Sequence, residues 1–330
     1  MHMGEFDLIE RYFKRPAHKA VLGVGDDCAL LQPTAGMHLA ISSDMLVEGR
    51  HFLSTVDPAR LGHKALAVNL SDLAACGAQP LAFTLALSLP RADEAWLSGF
   101  SEGLLRLAEA HGCELVGGDT TQGPLNICIT VFGEVPPGDA HLRGNAQVGD
   151  DIYISGTVGD ARLALDVFRG TQSLEAAAFE QARLRLEQPT PRVALGLELR
   201  AIANAAIDVS DGLLGDLGHI LKRSGVGAHI DTTWLQATQT FGNGQAAGIT
   251  PLLASLPWNK RLDYALSGGD DYELCFTAPV NQRELVHAAA WEAETPVTRI
   301  GRITETPGLV VLDAQGQPLA RRFTSFDHFA

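Results

Sequence analysis

The stretch AIDVSDGLLGDLGHILKRSG, residues 206–225, carries the pattern that decides the fold. It predicts a strand that ends in Ser-Asp-Gly and continues into a helix, which Gly225 caps at its carboxyl end. On either side of this stretch, strand patterns and helix patterns alternate through both halves of the chain. That alternation favours α/β layers, and it leaves open whether the sheets are parallel or mixed.

The first half of the chain shows the same alternation of strand and helix patterns, again with acidic residues at several of the junctions. A glycine-bounded turn, GVGDDCALL at residues 23–31, leads into an apolar strand. HLAISSDML at residues 38–46 predicts a strand whose carboxyl end carries a Ser-Ser-Asp step. Pro58 opens a helix that runs through KALAVNLSDLAACGA and stops at Gly77, since proline is tolerated in the first turn and glycine ends helices.

A domain boundary is predicted within residues 136–150, PPGDAHLRGNAQVGD, which are rich in turn residues and lack an apolar period. A chain of 330 residues is long enough for two domains, each with its own core. We therefore expect an N-terminal domain over residues 1–140 and a larger C-terminal domain over residues 141–330. Within the second, helices are predicted over 177–187 and 191–205.

Charge and hydropathy restrict the partners of the chain. The formal net charge is −14, with only five lysines, so a basic footprint for nucleic acid or anionic membranes is missing. The longest apolar stretch, Leu81–Leu89, is far short of the roughly 18 residues that a membrane span needs. The first residues show no charged-then-apolar leader, so we expect no signal peptide and a cytoplasmic protein.

Five cysteines stand at positions 28, 76, 113, 128 and 275, and no two of them form a C-x-x-C pair. Their odd number and their spacing argue against both disulfides and a zinc site. We expect buried, small, apolar side chains in a reducing compartment.

Acidic steps flanked by small residues recur along the whole chain. Each one alone is a common turn or helix cap, because Asp and Gly favour turns for local reasons. As a set they suggest a magnesium site, since Mg²⁺ prefers oxygen ligands completed by water and phosphates. The six segments are GDD (25–27), SSD (42–44), SDL (71–73), GGDT (117–120), DVSDG (208–212) and SGGDDYE (267–273).

Several familiar catalytic motifs are missing from the sequence. It contains no G-x-x-x-x-G-K-[ST] loop, no protein-kinase motif set and no G-x-G-x-x-G fingerprint. H-E-x-x-H and G-x-S-x-G are absent too, which weakens zinc-protease and serine-hydrolase interpretations. What the acidic set favours is metal-assisted chemistry on phosphates.

In this order and spacing, the acidic segments resemble thiamine-monophosphate kinase. This family belongs to the superfamily of aminoimidazole-ribonucleotide synthetase and selenophosphate synthetase. The resemblance runs from GEFDLIERYF near the start to the terminal FDHF. Its most specific pieces are GVGDDCALL, ISSDMLVEGRHF, KALAVNLSDLAACGA, LVGGDTT, IDVSDGL and LSGGDDYELCF.

The resemblance implies a two-domain α/β (α+β) architecture like that of aminoimidazole-ribonucleotide synthetase. It implies an N-terminal sheet backed by helices, which binds ATP and Mg²⁺ and pairs in a homodimer, and a C-terminal domain that completes the nucleotide and substrate site. The implied reaction is Mg²⁺-assisted, in-line transfer of the γ-phosphoryl group of ATP to thiamine phosphate, the last step in making thiamine diphosphate. The acceptor phosphate is mostly a dianion at neutral pH because its second pKa is about 6, so no general base is needed.

Site residues follow from the resemblance position by position. The magnesium positions are matched by Asp27, Ser42, Ser43, Asp44, Asp72, Asp119, Asp208 and Asp211, of which Asp44, Asp72 and Asp119 are expected to be the most critical. The ATP contacts are matched by Gly118, Asp119, Arg143 and Ser210. The thiamine phosphate contacts are matched by His51, Asp270 and Phe323.

Two of the substrate positions depart from the common family pattern. Asp270 stands where many relatives have Glu, which shortens the reach by one methylene group. Phe323 stands where Trp is common, so its attraction for the thiazolium cation is weaker, and core packing beside Phe326 and Phe329 is an equal alternative. Other readings stay open at this point: another ATP-using member of the superfamily, a metal-dependent phosphohydrolase, or a non-catalytic binder.

Overall fold

The computed structural model describes residues 4–321 and residue 323. The chain divides into two compact units: residues 1–73 with 78–138, and residues 74–77 with 139–330. No helix within the described ranges is long and apolar enough to span a lipid bilayer. The terminal FDHF stretch lies outside the described residues.

The first unit is built on a four-stranded sheet with the strand order β1-β4-β2-β3. Strand β3 pairs with β2 in parallel, whereas β4 pairs antiparallel with both β1 and β2. In chain order, the elements are α1 (Glu5–Leu8), which continues into a π-helical turn (Ile9–Phe13), β1 (His38–Val47), α2 (Pro58–Cys76), β2 (Gln79–Leu89), α3 (Glu94–Ala110), β3 (Glu114–Gln122) and β4 (Asn126–Val135).

Helices α2 and α3 pack unusually close together because glycines remove side chains at their contact. A Cβ atom on Gly62 would lie 2.0 Å from the carbonyl oxygen of Phe100. A Cβ atom on Gly103 would lie 1.8 Å from the carbonyl oxygen of Ala59. Since both neighbours are backbone atoms, no side-chain movement can relieve either clash.

Gly103→Ala is therefore expected to lower the free energy of unfolding by about 2 kcal/mol, because the two helices must separate to admit one methyl group. Gly218 is the matched control, since it lies in a helix and a Cβ atom there meets nothing within 4 Å. Gly218→Ala should raise stability by up to about 1 kcal/mol through helix propensity. Thermal unfolding of both variants checks the pair, and equal shifts would contradict the close-packing argument.

The second unit is built on a six-stranded sheet with the order β12-β7-β11-β5-β10-β6, in which only the β12–β7 pair is parallel. The elements are β5 (Asp151–Ser155), α4 (Asp160–Phe168), α5 (Ala176–Glu187), α6 (Val193–Glu198), β6 (Ala205–Asp208), α7 (Leu213–Ser224), β7 (Gly227–Asp231), β8 (Gln239–Thr240), β9 (Ala246–Ala247), α8 (Pro251–Ala254), α9 (Trp258–Ser267), β10 (Leu274–Ala278), α10 (Arg283–Glu292), β11 (Val297–Thr304) and β12 (Gly308–Leu312).

The predicted α/β class is confirmed, and both sheets are mixed. The strand-turn-helix of residues 206–225 forms as expected, with Gly225 in the left-handed conformation at the end of α7. The predicted helix over 191–205 is wrong beyond Glu198, where the chain turns and Ala201 takes a φ of +59°. The predicted apolar strand after the turn at 25–28 is also wrong, because Leu30 makes only an isolated bridge to Leu22.

Three of the acidic segments lie inside regular structure, and the strand predicted over 38–46 and the helix predicted through residues 71–73 are confirmed. The Ser-Ser-Asp step at 42–44 falls in the middle of β1, which continues to Val47. Residues 71–73 lie within α2, and residues 117–120 lie within β3. All five cysteines are free, but only Cys113 and Cys275 are buried; Cys76 and Cys128 are partly exposed and Cys28 is exposed, so the expectation that every cysteine is buried is wrong at these three positions.

Candidate active site

In the first unit, hydroxyl and carboxylate groups of β1 and α2 meet on the face of the sheet that α2 covers. The Ser42 hydroxyl donates a hydrogen bond to the Asp72 carboxylate. The backbone amide of Asp44 donates to the side-chain carbonyl of Asn69 over 3.0 Å. Asn69 is itself held by a 3.0 Å bond from its amide group to the carbonyl of Ala65, one turn earlier. Asn69 and Asp72 therefore share one helix face, as their spacing predicts.

Ser43 points to the other face of the sheet, because side chains alternate along a strand. Its hydroxyl lies 3.1 Å from the carbonyl of Ile129 and 2.9 Å from the Thr130 hydroxyl. The structure thus groups Ser42 with Asp72 and separates the Ser43 side chain from them. A metal ligand at position 43 on the α2 side would have to be a backbone atom.

Asp27, Gly118 and Asp119 line one cavity of about 550 Å³ at strand β3. Gly118 has a φ of +144°, and a Cβ atom there would lie 1.8 Å from the carbonyl of Leu85. Only glycine fits at this position, and the next residue, Asp119, is exposed and pairs with Ala86 of β2. The predicted metal positions Asp27 and Asp119 and the predicted ATP positions Gly118 and Asp119 therefore share one cavity.

His51 lies in the turn after β1, where its Nδ1 accepts a 3.0 Å hydrogen bond from the amide of Val47. The buried side chain of Lys64 on α2 donates to the His51 carbonyl over 3.2 Å. A buried lysine needs such partners, because an unpaired ammonium group is costly to desolvate. This residue of α2 therefore anchors the turn that carries the predicted substrate contact.

In the second unit, the two acidic turns at 208–212 and 267–273 are locked together through their backbones. The amide of Asp270 donates to the carbonyl of Ser210, and that of Tyr272 donates to the carbonyl of Val209, both over 2.8 Å. Asp270 and Tyr272 have φ values of +66° and +50°, a left-handed conformation that side chains rarely adopt. The structure thus places the predicted ATP contact Ser210 directly beside the predicted substrate contact Asp270.

Asp216, in the first turn of α7, holds the 208–212 turn from beneath. Its Oδ2 atom accepts hydrogen bonds from the amides of Ser210, Asp211 and Gly212 at 3.0, 3.1 and 3.1 Å. The residue is only 3% exposed, and burial raises the pKa of its carboxyl group to about 7. Asp208, the last residue of β6, is buried too.

Glu273 pins the other turn from inside the second unit. Its fully buried carboxylate accepts from Arg192 at 2.6 and 2.7 Å, from Arg185 at 2.7 Å and from the Ser155 hydroxyl at 2.6 Å. Neighbouring Asp271 accepts from the amide of Gly159 at 2.9 Å. Burial raises the pKa of Asp271 well above its usual range.

Arg143 lies on an exposed loop at the other end of α7. Its carbonyl accepts a 3.0 Å hydrogen bond from Ser224, which fixes the loop against the helix end. The surrounding groove, about 870 Å³, is also lined by His219, Lys222 and Arg223. The positive charges of Arg143, Lys222 and Arg223 in a chain of charge −14 favour an anionic occupant.

Phe323 packs against the core of the second unit and is partly buried. The Arg321 guanidinium lies over its ring at 5.7 Å from the centroid. Core packing, which the sequence left as an equal alternative, therefore accounts for this side chain, and stacking on substrate stays a prediction.

The sequence pattern alone did not single out Lys64, Asp216 or Glu273. Asp216 had one available signal, since it falls on the buried face of an amphipathic helix where an unpaired carboxylate would be costly. Glu273 had a similar one, because it borders the fully buried strand β10. The signal at Glu273 does not identify its partners, which come from distant parts of the chain, whereas the turn that Asp216 holds lies four to six residues before it.

Comparison with known families covers most of the chain. The family model described as "AIR synthase related protein, N-terminal domain" matches residues 25–135. The corresponding C-terminal domain model matches residues 147–314.

Curated relatives and solved structures agree with this match. The thiamine-monophosphate kinase of Escherichia coli K12 is 45% identical, with 100% of this chain and 99% of the relative covered. A crystal structure of thiamine-monophosphate kinase from Stenotrophomonas maltophilia K279a has 47% identity and a TM-score of 0.81, covering 91% of this chain and 92% of that one. A structure described as "AaThiL complexed with AMPPCP and TMP" has 29% identity and a TM-score of 0.74, covering 90% and 89%.

Proposed function

Because this chain belongs to the thiamine-monophosphate kinase family of AIR synthase related proteins, we propose that it transfers the γ-phosphoryl group of ATP to the phosphate of thiamine phosphate. One observation of the structure carries the proposal. It is the set of oxygen groups that β1 and α2 bring together, the Ser42–Asp72 hydrogen bond with Asp44 beside it. The relative described with AMPPCP and TMP supports the choice of substrates, since it covers nine-tenths of the chain.

The residues present suit Mg²⁺. Carboxylate and hydroxyl oxygens are its preferred ligands, and it keeps open positions for water and substrate phosphates. Among residues 4–321 and 323, no group of three or more Asp, Glu, His or Cys side chains is arranged so that it could hold a metal ion. In the first unit Asp44 and Asp72 would hold Mg²⁺, as would Asp27 and Asp119, and in the second Asp208 and Asp211 would do so. When bound, Mg²⁺ would neutralise phosphate charge and align the reacting oxygens.

The transfer itself asks little covalent chemistry of the protein. An oxygen of the acceptor phosphate forms the new bond to the γ-phosphorus, the bond to the β,γ-bridging oxygen breaks, and ADP leaves with that electron pair. Since the acceptor is already mostly a dianion, the side chains bind and orient rather than move a proton. We assign the contacts with thiamine phosphate to His51, Asp270 and Phe323. The hydrogen bond from the Asp270 backbone amide to the Ser210 carbonyl would fix the Asp270 contact relative to the nucleotide.

The positions of Arg143 and Ser210 restrict how one ATP molecule can lie. They flank opposite ends of α7, whose 12 residues span about 18 Å. If both contact the same nucleotide, its long axis must follow the helix.

The activity is tested by incubating purified protein with ATP, Mg²⁺ and thiamine phosphate and separating the products by chromatography. We expect thiamine diphosphate that requires both the metal and the phosphorylated acceptor. A metal-free sample and one with free thiamine are the controls. ADP and free phosphate without thiamine diphosphate would instead assign the site to a phosphohydrolase or to another acceptor. A cytoplasmic location stays a prediction.

We propose in addition that the first unit pairs with a second copy of the chain in a homodimer. Strand β1 is an edge strand, and its face opposite α2 carries Leu39, Ile41 and Met45, which are 44%, 61% and 53% exposed. Across the register, Ile41 stands opposite Phe132, which extends this apolar face onto β4. A contiguous apolar sheet face of this kind is typical of an interface between copies.

Ile41→Glu is expected to shift the protein from dimer to monomer, because it places a charge in the middle of the proposed contact. Light scattering at micromolar concentration measures the mass. Leu285→Glu is the matched control, since Leu285 is a similarly exposed apolar side chain (50%) in the second unit. A dimer that survives Ile41→Glu, or a wild-type monomer, would refute this interface.

A further inference from the structure

The amides of the 208–212 turn form an anion-binding shape that the chain fills itself. Three successive backbone N–H groups, those of Ser210, Asp211 and Gly212, converge on one carboxylate oxygen of Asp216. Concavities of successive N–H groups before a helix commonly bind phosphate or other anions. Here the anion is the side chain of Asp216 from the following helix, and this side chain is only 3% exposed.

We infer that Asp216 is a positioning residue that makes the 208–212 turn a metal-binding rather than a phosphate-binding element. This inference rests on the proposed function, in which Asp208 and Asp211 hold Mg²⁺. With these three amides already paired, the backbone of Ser210, Asp211 and Gly212 offers no N–H group to a phosphate. The turn meets the phosphates of ATP through carboxylate-held Mg²⁺.

The geometry gives Asp216 two effects on the turn. It fixes the backbone of Ser210 and Asp211, so that the side chains of these residues start from defined positions. It also places a carboxylate oxygen beneath the turn, 3.1 Å from the amide nitrogen of Asp211. A second acidic group at this distance favours a cation near Asp211 and disfavours a bare phosphate.

The packing around the turn leaves little room for an alternative arrangement. Gly212 has a φ of +120°, and a Cβ atom there would lie 2.8 Å from the carbonyl of Ser267. A Cβ atom on Gly269 would lie 2.5 Å from the carbonyl of Ser210. The 267–273 turn therefore closes the outer side of the 208–212 backbone while Asp216 holds the inner side.

The test compares Asp216→Asn and Asp216→Ala with the wild type in two binding measurements that need no turnover. In the first, Mg²⁺ is titrated calorimetrically into the protein saturated with AMPPCP, a non-hydrolysable ATP analogue. We expect Mg²⁺ binding to weaken about tenfold or more in both variants, which is the usual effect of removing a group that orients metal ligands. In the second, inorganic phosphate is added without metal, and we expect it to raise the melting temperature of Asp216→Ala more than that of the wild type.

Asp150→Asn provides the matched control for a purely structural carboxylate. Asp150 is equally buried in the second unit, and it accepts hydrogen bonds from the amide of Gln147, the Thr277 hydroxyl and the Asn204 side chain. Its variant should melt at a lower temperature with unchanged responses to Mg²⁺ and to phosphate. The same pattern in Asp216→Asn would overturn the inference.

If Asp216→Ala does not fold, Asp216→Asn retains an acceptor oxygen of the same shape, and its Mg²⁺ affinity decides; a value within twofold of the wild type overturns the inference. A wild type that forms no thiamine diphosphate would refute the proposed function while weakened Mg²⁺ binding in the variants would still support the role of Asp216. An active wild type with unchanged variants would refute the inference alone.

Discussion

Asp119→Asn is expected to lower the rate of thiamine diphosphate formation by about a hundredfold or more without unfolding the first unit. The substitution keeps the size of the side chain and removes its charge. If Asp119 holds Mg²⁺, several kcal/mol of charge stabilisation in the transition state are lost with it. Asp119 is exposed beside the cavity of β3, so its removal leaves no buried group without a partner.

The rate is to be measured over a range of Mg²⁺ concentrations, together with the melting temperature. Glu102→Gln is the control, because it removes the same charge from an exposed position on α3. Asp44→Asn should behave like Asp119→Asn, since both positions are proposed as metal ligands. Near-normal turnover of Asp119→Asn at low Mg²⁺ would remove Asp119 from the site.

Local pattern was enough to predict the elements that carry the proposed site. The stretch 206–225 combines an apolar strand, a Ser-Asp-Gly turn, an amphipathic period and a terminal glycine, and all four agree on one structure. Helix α2 is similar, since Pro58 and Gly77 mark its ends. Where every local preference points the same way, tertiary packing has nothing to override.

Predictions from sequence were less accurate for the bounds of elements than for their type. The strand predicted over 38–46 forms, but the Ser-Ser-Asp step lies in its middle rather than at its carboxyl end, because pairing with β4 continues from His38 to Val47. Residues 191–205 have a helical composition, but helix α6 ends at Glu198, where no glycine in the sequence marks the end. The extent of β1 depends on its pairing with β4, which a single sequence does not display.

Sequence motifs did not predict the residues that hold the acidic turns in place, Asp216 and Glu273. Asp216 and the turn it holds are neighbours in sequence, so its role had a local signal. Glu273 gathers Ser155, Arg185 and Arg192 from positions 81–118 residues away. No spacing rule connects such residues, and only the folded sheet of the second unit brings them together.

Glu273→Gln is expected to destabilise the second unit by about 4 kcal/mol, because it leaves two arginines without their buried counter-ion. For a unit of this size, the melting temperature should fall by roughly 10 °C. Glu10→Gln is the control, since the exposed Glu10–Lys14 pair at 2.7 Å should contribute less than about 1 kcal/mol. Calorimetry resolves the transition of the second unit, and a shift no larger than that of the control would contradict the prediction.

A double replacement separates the cost of an unpaired charge from the value of the ion pair. Glu273→Met with Arg192→Met removes both charges of the two-bond contact, and Arg185 keeps the nearby carboxyl group of Asp271. Buried pairs replaced by apolar groups of similar size usually cost far less than the loss of one partner. The double variant should therefore be more stable than the sum of the single effects predicts, by about 2 kcal/mol. Additive effects would mean that the guanidinium groups of the arginines become hydrated when Glu273 is removed. The 267–273 turn would then depend on packing rather than on the charge of Glu273.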